Sequence, residues 1–250
     1  MNIGIIMQAR MGSTRLPGKI LKAFHGDKAL IEILLEKLHK VNDAKVIVAT
    51  SINENNDPLE SFLSEKGELC FRGSENDVLD RFIKAAEFYK VDGIIRICSD
   101  NPFLDYDGVL QLVEKAKLSN ADYIGFLNNG TPSILTHFGF WGEFVTLNAL
   151  KRVAETTEVG TPAHEHVTFH VYKHPEEYKC EWIQCPVFLQ GREDIRLTVD
   201  TLDDFINAQG VYSALKEKKQ NFDLKDVVDY LDLHEDVKKS MLLNISLNKK

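Results

Sequence analysis

Cysteine and basic charge are scarce in this 250-residue chain, and long apolar runs are missing; each shortage excludes something. The four cysteines, Cys70, Cys98, Cys180 and Cys185, form no CxxC pair. They read as buried thiols of a reduced, cytoplasmic protein. Cys180 and Cys185 would bridge only if a hairpin set them opposite each other. Thirty Lys and Arg against 38 Asp and Glu leave a formal net charge of −8, which disfavours a general nucleic-acid or anionic-membrane surface. No apolar run approaches the roughly 18 residues that span a bilayer. Met1 runs straight into a strand-like segment, so no signal peptide is expected. Internal repeats and low-complexity linkers are absent too. What remains is a chain with 44% hydrophobic residues, suited to one large α/β domain or a domain with a smaller insertion.

The first two-fifths alternate short apolar runs with amphipathic ones. Residues 3–7, 45–50 and 93–98 read as buried strands and 69–71 as an edge strand, while 30–38, 57–63, 77–90 and 107–118 read as helices. Pro58 opens the second helix, and Asn76 or Asp77 caps the third. This rhythm predicts a parallel, doubly wound sheet with helices on both faces. From about 123 to 190 the pattern changes to Gly, Pro, aromatics and short β-like runs. The clearest strands are 138–142 and 178–183, with a helix over 145–155. We read a mixed sheet insertion that covers a substrate site and is a candidate dimer contact. Residues 195–200 return as a buried strand, helices follow over 202–216 and 224–231, and 236–250 is a polar tail.

The chemistry concentrates after the first strand, in Gln8-Ala9-Arg10-Met11-Gly12-Ser13-Thr14-Arg15-Leu16-Pro17-Gly18-Lys19. A buried first strand that enters a Gly-rich loop is where open α/β sheets bind nucleotides. Two glycines allow close backbone approach, and Arg10, Arg15 and Lys19 supply fixed positive charge, a cradle for a polyanion. The spacing matches neither GxxxxGK[ST] nor GxGxxG. Two aspartates, Asp100 and Asp200, follow the strand-like runs 94–98 and 195–199. If both runs lie centrally, both carboxylates face the loop's crevice, where Mg²⁺ between carboxylates and phosphate makes sense. Alone, Asp100 also fits an ordinary turn, and Asp200 a helix start, with Thr201 and Asp204 forming a capping-box pattern.

The loop resembles the (Q/P)AR-x-x-S-T-R-L-P-G-K motif that opens the cytidylyltransferases activating acidic sugars: the Kdo and acylneuraminate cytidylyltransferases and the spore coat polysaccharide biosynthesis protein F type. The similarity runs to about residue 235. It implies a Rossmann-like, glycosyltransferase-A-like nucleotidyltransferase fold in a single domain over 1–235. It also implies Mg²⁺-dependent transfer of CMP from CTP to an acidic sugar or related acceptor, releasing pyrophosphate. A homodimer through the 123–190 insertion is the default expectation beside it. Asp100 and Asp200 match the family's metal-binding aspartates, with Ser99 in place of the commoner glycine. Arg10, Lys19, Asp100 and Asp200 are then the expected catalytic residues. Gln8, Ala9, Arg10, Gly12, Ser13, Arg15 and Lys19 would bind the nucleotide. The segment 71–82 resembles the Arg-Gly-Ser-x-x-Asp-Val-Leu-Asp-Arg signature, which puts Arg72 and Ser74 beside the base; Asp80 and Arg81 otherwise read as a solvated helix face. Glu165 and His166, in a Glu-His-Val-Thr stretch, would wall the acceptor pocket.

Other readings compete. His166 and His170, four apart, have a zinc-like spacing, but no third ligand set is evident and the surroundings look like strand or mixed structure. Arg192 or Arg196 would hold an acidic acceptor through a bidentate fork, against salt-bridging to Glu193 or Asp194. A glycosyltransferase using a nucleotide sugar would want an Asp-x-Asp motif at a strand end; Asp105-Tyr106-Asp107 has the spelling at a helix start. A non-catalytic CTP-binding scaffold would predict a damaged aspartate pair.

Overall fold

The computed structural model describes residues 1–42 and 44–247. Its first strand, β1 (Ile3–Gln8), is apolar on both faces because both faces are covered. Ile3, Ile5 and Met7 enter one core with helices α1 (Leu30–Leu38), α2 (Asp57–Glu65), α4 (Tyr106–Leu118) and α8 (Leu202–Lys218). Ile6 points the other way, into a second core with α3 (Val78–Tyr89) and α5 (Leu147–Thr156). The alternation is the period of two that a strand imposes.

A small hairpin, β2 (Ala23–His25) with β3 (Lys28–Ala29), follows the loop. In the main sheet β1 lies between the parallel strands β4 (Lys45–Ser51) and β6 (Gly93–Cys98), and β5 (Leu69–Gly73) closes that edge. Beyond β6 come β9 (Glu143–Thr146), then β7 (Tyr123–Asn128), then β10 (Cys180–Gln184), while the two-residue strand β8 (Thr131–Pro132) pairs with β7. In the path β5-β4-β1-β6-β9-β7-β10 only β9 runs antiparallel to its neighbours. The expected mainly parallel sheet with helices on both faces is present, and the middle segment extends this same sheet. In register, Gln8 meets both Ala49 and Cys98, so β1 and β6 end level, β4 runs two residues further to Ser51, and their following turns share one rim.

Several expectations fail locally. Residues 195–200 form no strand. Ile195, Leu197 and Val199 are buried, but Leu197 N–H donates to the His137 carbonyl (2.9 Å) and Val199 N–H to that of Asp100 (2.9 Å). Alternating apolar residues report burial of an extended chain, not membership of a ladder. The run 138–142 is likewise a loop; Gly139 sits at φ +66°, a left-handed turn that breaks a strand, and β9 begins one residue later. The stretch 164–170 is not strand either: it holds the end of one short helix, α6 (Pro162–Glu165), a turn over 166–168, and the start of another, α7 (Phe169–Lys173). Helix α4 starts one residue before the expected 107 and is capped by Asp105, which accepts from Gly108 N–H (3.0 Å). After α9 (Leu224–Asp232), most of the expected polar tail is helix α10 (Glu235–Leu247), which buries Met241 and Asn244; residues 248–250 lie outside the described residues. Among the described residues no cysteine is in a disulfide.

Candidate active site

The loop after β1 is closed by its own backbone. Ser13 and Gly18 N–H both donate to the Met11 carbonyl (3.0 Å each), and Met11 N–H donates to Asn56 Oδ1 (2.8 Å). Gly18 at φ +67° makes the reversal that starts the 3-10 turn Lys19–Leu21, a conformation that costs other residues about 1 kcal/mol or more. Lys19 is thereby carried inward to 8% exposure. Its ammonium donates to the Val199 carbonyl and lies 3.7 Å from Asp100 Oδ2. One lysine thus touches both acidic turns, which are themselves joined by the Val199–Asp100 hydrogen bond. This link sets Asp100 and Asp200 beside one another despite a hundred intervening residues.

A cleft of about 240 Å³ opens over this junction. Gln8, Ala9, Arg10, Ser13, Arg15 and Lys19 line it from the loop, Asp100 and Asp200 from the two turns, and Glu165 and His166 from α6 and just past it. Its wall carries five cations against three carboxylates on a chain of net charge −8, the local reversal a polyphosphate needs. Asp200 is held from both sides, by Arg15 Nη2 (2.9 Å) and Arg196 Nη2 (3.0 Å).

Four expected residues are placed elsewhere. Gly12 shapes the loop, where an added Cβ would meet Asn55 Nδ2 at 3.2 Å, but it does not line the cleft. Arg72 is turned away and tied to Asp57 (2.7 Å), to Glu60 and to the Ser51 and Asn53 carbonyls. Ser74 Oγ accepts from Asp77 N–H (3.0 Å), next to the α3 cap, and also stays out of the cleft. Arg196 is 2% exposed and forks onto Asp204, with Nε to Oδ1 at 2.7 Å and Nη2 to Oδ2 at 2.8 Å; its Nη1 meets His137 Nδ1 at 2.7 Å. It is buried beneath Asp200 rather than open to an acceptor. Arg192 pairs with Asp194 (2.7 Å) and Asp232 (2.8 Å), which gives the salt-bridge reading for that residue.

Two cations of the cleft were not anticipated. Arg81 is 3% exposed, not a solvated helix residue; its Nη1 donates to the Ser74 carbonyl (2.7 Å), its Nε has no hydrogen bond among the described residues, and burial lowers its pKa, opposed by Glu75 and assisted by Arg10. Burial of a guanidinium beside another cation is stabilised by an incoming anion. Its signal was the helical spacing: one residue before Phe82 and three after Val78, it borders the buried stripe. Arg96 interrupts an apolar strand, Ile94-Ile95-Arg96-Ile97, which is itself a sign of a paired buried charge. It bonds Glu143 (2.6 Å) and Gln8 Oε1 (3.1 Å), and Glu143 in turn accepts from Tyr123 OH (2.6 Å) and Thr168 Oγ1 (3.0 Å). Burial, and then Glu143, push the Tyr123 phenol well above its ordinary range, so it stays a donor.

The histidines divide. His164 is buried with Nδ1 2.9 Å from Asp77 Oδ1, tying α6 to the α3 cap. His170 stacks on His174 at 4.0 Å. Among the described residues no three His, Cys, Asp or Glu side chains converge as a metal-ion cluster, which leaves the zinc spacing without a site. Asp105 of the Asp-x-Asp spelling accepts from Gly108 N–H and from Trp141 Nε1 (3.3 Å), outside the cleft. The glycosyltransferase reading loses its motif.

A polyanion cradle at the carboxyl ends of parallel strands, facing two carboxylates, defines an α/β nucleotide-binding enzyme of the phosphoryl-transferring kind. The chain belongs to the cytidylyltransferase family, whose model matches residues 4–244, and it is accordingly a nucleotidyltransferase. It is 37% identical over 239 residues to the uncharacterised protein MJ1063 of Methanocaldococcus jannaschii, covering 94% of this chain and 92% of that one. It is 33% identical over 222 residues to the spore coat polysaccharide biosynthesis protein SpsF of Bacillus subtilis, covering 87% and 89% respectively. A cytidylyltransferase structure from Leptospira borgpetersenii superposes with a TM-score of 0.81 at 26% identity, over 95% of this chain and 96% of that one.

Proposed function

We propose that this enzyme transfers CMP from CTP to a hydroxyl of an acidic sugar or related acceptor, releasing pyrophosphate, in surface polysaccharide or glycan synthesis. The observation that carries the proposal is one cleft lined by Arg10, Arg15 and Lys19 on one side and Asp100 and Asp200 on the other. The acceptor oxygen forms a bond to the α-phosphorus as the bond from that phosphorus to the α–β bridging oxygen breaks. Arg10, Arg15 and Lys19 hold the β- and γ-phosphates and stabilise the charge that develops on the departing pyrophosphate. Arg81 and Arg96 extend this positive wall. Glu165 and His166 stand where they can orient the acceptor, and orientation in line with the leaving group supplies much of the rate.

Asp100 and Asp200 fit a Mg²⁺ ion: two hard oxygen donors line the same cleft. When bound there, the ion would offset charge on the reacting phosphate and lower the pKa of an acceptor hydroxyl. No side chain is assigned as general base. The setting proposed is cytoplasmic, and among the described residues no helix is long and apolar enough to cross a membrane. A homodimer through residues 123–190 belongs to the proposal, supported by β10 at the end of the strand order.

The test is pyrophosphate release with Mg²⁺, crossing the four ribonucleoside triphosphates with acidic sugars and sugar phosphates. CTP-selective release, lost in Asp100→Ala, is expected. Release with a purine triphosphate in preference to CTP would refute the assignment.

A further inference from the structure

Strand register sets one charged pair inside the main sheet. Arg96 of β6 stands opposite Ile6 of β1 on one side and Glu143 of β9 on the other. Opposed residues share a sheet face, and so do residues two apart on one strand, so Arg96 lies on the face of Gln8. The Arg96 and Glu143 side chains are only 7% and 2% exposed. Glu143 takes three donors: Arg96 Nη1 (2.6 Å) and Thr168 Oγ1 (3.0 Å) on Oε2, and Tyr123 OH (2.6 Å) on Oε1. A carboxylate held from three sides holds the guanidinium in turn.

The guanidinium passes this order to the cleft. Its Nη2 donates to Gln8 Oε1 (3.1 Å). A primary amide offers an accepting oxygen at one end and a donating NH₂ at the other, and the two ends have nearly the same shape. Arginine has donors only, so beside Arg96 the oxygen is taken and the NH₂ is left over. Gln8 lines the cationic cleft, and among the described residues its Nε2 donates to nothing.

We infer that Arg96 and Glu143 are positioning residues for CTP: the pair locks the Gln8 amide so that it shows the cleft its NH₂ and not its oxygen. The assignment rests on the cytidylyl-transfer reading above. A polyphosphate presents acceptors, so a reversed amide would set oxygen against oxygen at this point. Arg96 acts through Gln8, and Glu143 matches the charge of Arg96 and keeps it in the sheet. A buried pair that served the fold alone would leave the direction of Gln8 without consequence.

The double variant Arg96→Met/Glu143→Gln removes both charges together, so the net charge of the site is unchanged and no buried ion is left unpaired. The introduced amide still meets the Tyr123 and Thr168 hydroxyls, which donate or accept. The assay is calorimetric titration with CTP and Mg²⁺, with melting temperatures read alongside. Gln8→Met alone is expected to weaken CTP binding ten-fold or more, and so is the double variant. Adding Gln8→Met to the double variant should cost less than three-fold more, because the amide then has no fixed direction to lose. Gln8→Glu, which must show the cleft an oxygen, should bind CTP more weakly than Gln8→Met. These two single variants leave the buried pair in place, so they test the assignment even where the double variant folds poorly. Losses that multiply to 100-fold or more, wild-type CTP affinity in Gln8→Met or in the double variant, or Gln8→Glu binding as well as Gln8→Met would overturn it. Wild-type protein that binds no CTP refutes the transfer reading itself, and the positioning role with it.

Discussion

Replacing Arg196 by Met separates a structural guanidinium from an acceptor-binding one. Side-chain exposure is 1% for Arg196 and 2% for Asp204, and two hydrogen bonds of 2.7 and 2.8 Å join them. At an effective dielectric of about 20 and a charge separation of about 4 Å, their attraction is about 4 kcal/mol. Breaking a buried pair from one side generally costs about 3–5 kcal/mol, because the remaining charge stays buried without its partner. Asp204 keeps the Thr201 and Asp200 amides (3.0 and 3.1 Å) and Asn244 Nδ2 (3.2 Å), which favours the lower half of that range. A chain of this size loses about 2–4 °C of melting temperature per kcal/mol, so Arg196→Met should melt about 6–16 °C below wild type. Asp204→Asn in the same background should recover part of that loss, which thermal and urea denaturation of the single and double variants would measure. Wild-type stability together with a selective rise in acceptor half-saturation would refute the reasoning and restore Arg196 as an acceptor ligand.

The same pair has a pH signature. Burial works against the Asp204 charge, yet Arg196 and the backbone amides more than offset it, leaving the carboxyl below its ordinary value. Its contribution is therefore complete above the unfolded carboxylate pKa and is lost as pH falls through the lower folded value; an acid titration of stability should show this limb in wild type and not in Asp204→Asn. Lys37 runs oppositely: burial, then the Lys216 charge, pull its pKa from 10.5 to about 8. The unfolded chain then holds this proton at pH values where the folded chain has shed it, so the group's contribution to stability rises between about pH 8 and 10.5, a rise that Lys37→Met should lack in urea titrations across that range. Arg72→Ala should cost about 1 kcal/mol or less, since its partners Asp57 and Glu60 are largely exposed, and leave CTP affinity unchanged in calorimetry. Arg81→Leu, by contrast, should weaken CTP binding about ten-fold or more in the same titration. Asp100→Asn should fold normally and lose about 10²–10³-fold in turnover.

The sheet and the loop were legible because local signals and tertiary roles coincide there. A run such as Ile3–Met7 can be apolar throughout only if both its faces are buried, and a basic loop on an acidic chain has few uses other than binding an anion. The extended chain at 195–200 was misread because burial and strand pairing leave the same apolar alternation. Helix α10 was missed because the last residues were read as one polar tail, although Met241, Leu242, Leu243, Ile245 and Leu247 lie within them; two buried residues, Met241 and Asn244, dock it. Within 71–82 the motif carries two arginines of equal chemistry, and sequence alone does not say which faces in. The acids at 57 and 60 claim Arg72, while α3 turns Arg81 toward the cleft. Arg196 shows the same difficulty: its partner Asp204 had been read as a helix cap, and Asp204 serves both roles through the Thr201 and Asp200 amides and the Arg196 fork.

The most direct test of the central claim is a calorimetric titration of the four ribonucleoside triphosphates, with Mg²⁺, into wild type and Lys19→Met. The account predicts that CTP binds at least ten-fold more tightly than ATP, GTP or UTP, and that Lys19→Met weakens CTP binding by ten-fold or more without lowering the melting temperature by more than a few degrees. No CTP binding, or binding indifferent to Lys19, would contradict it.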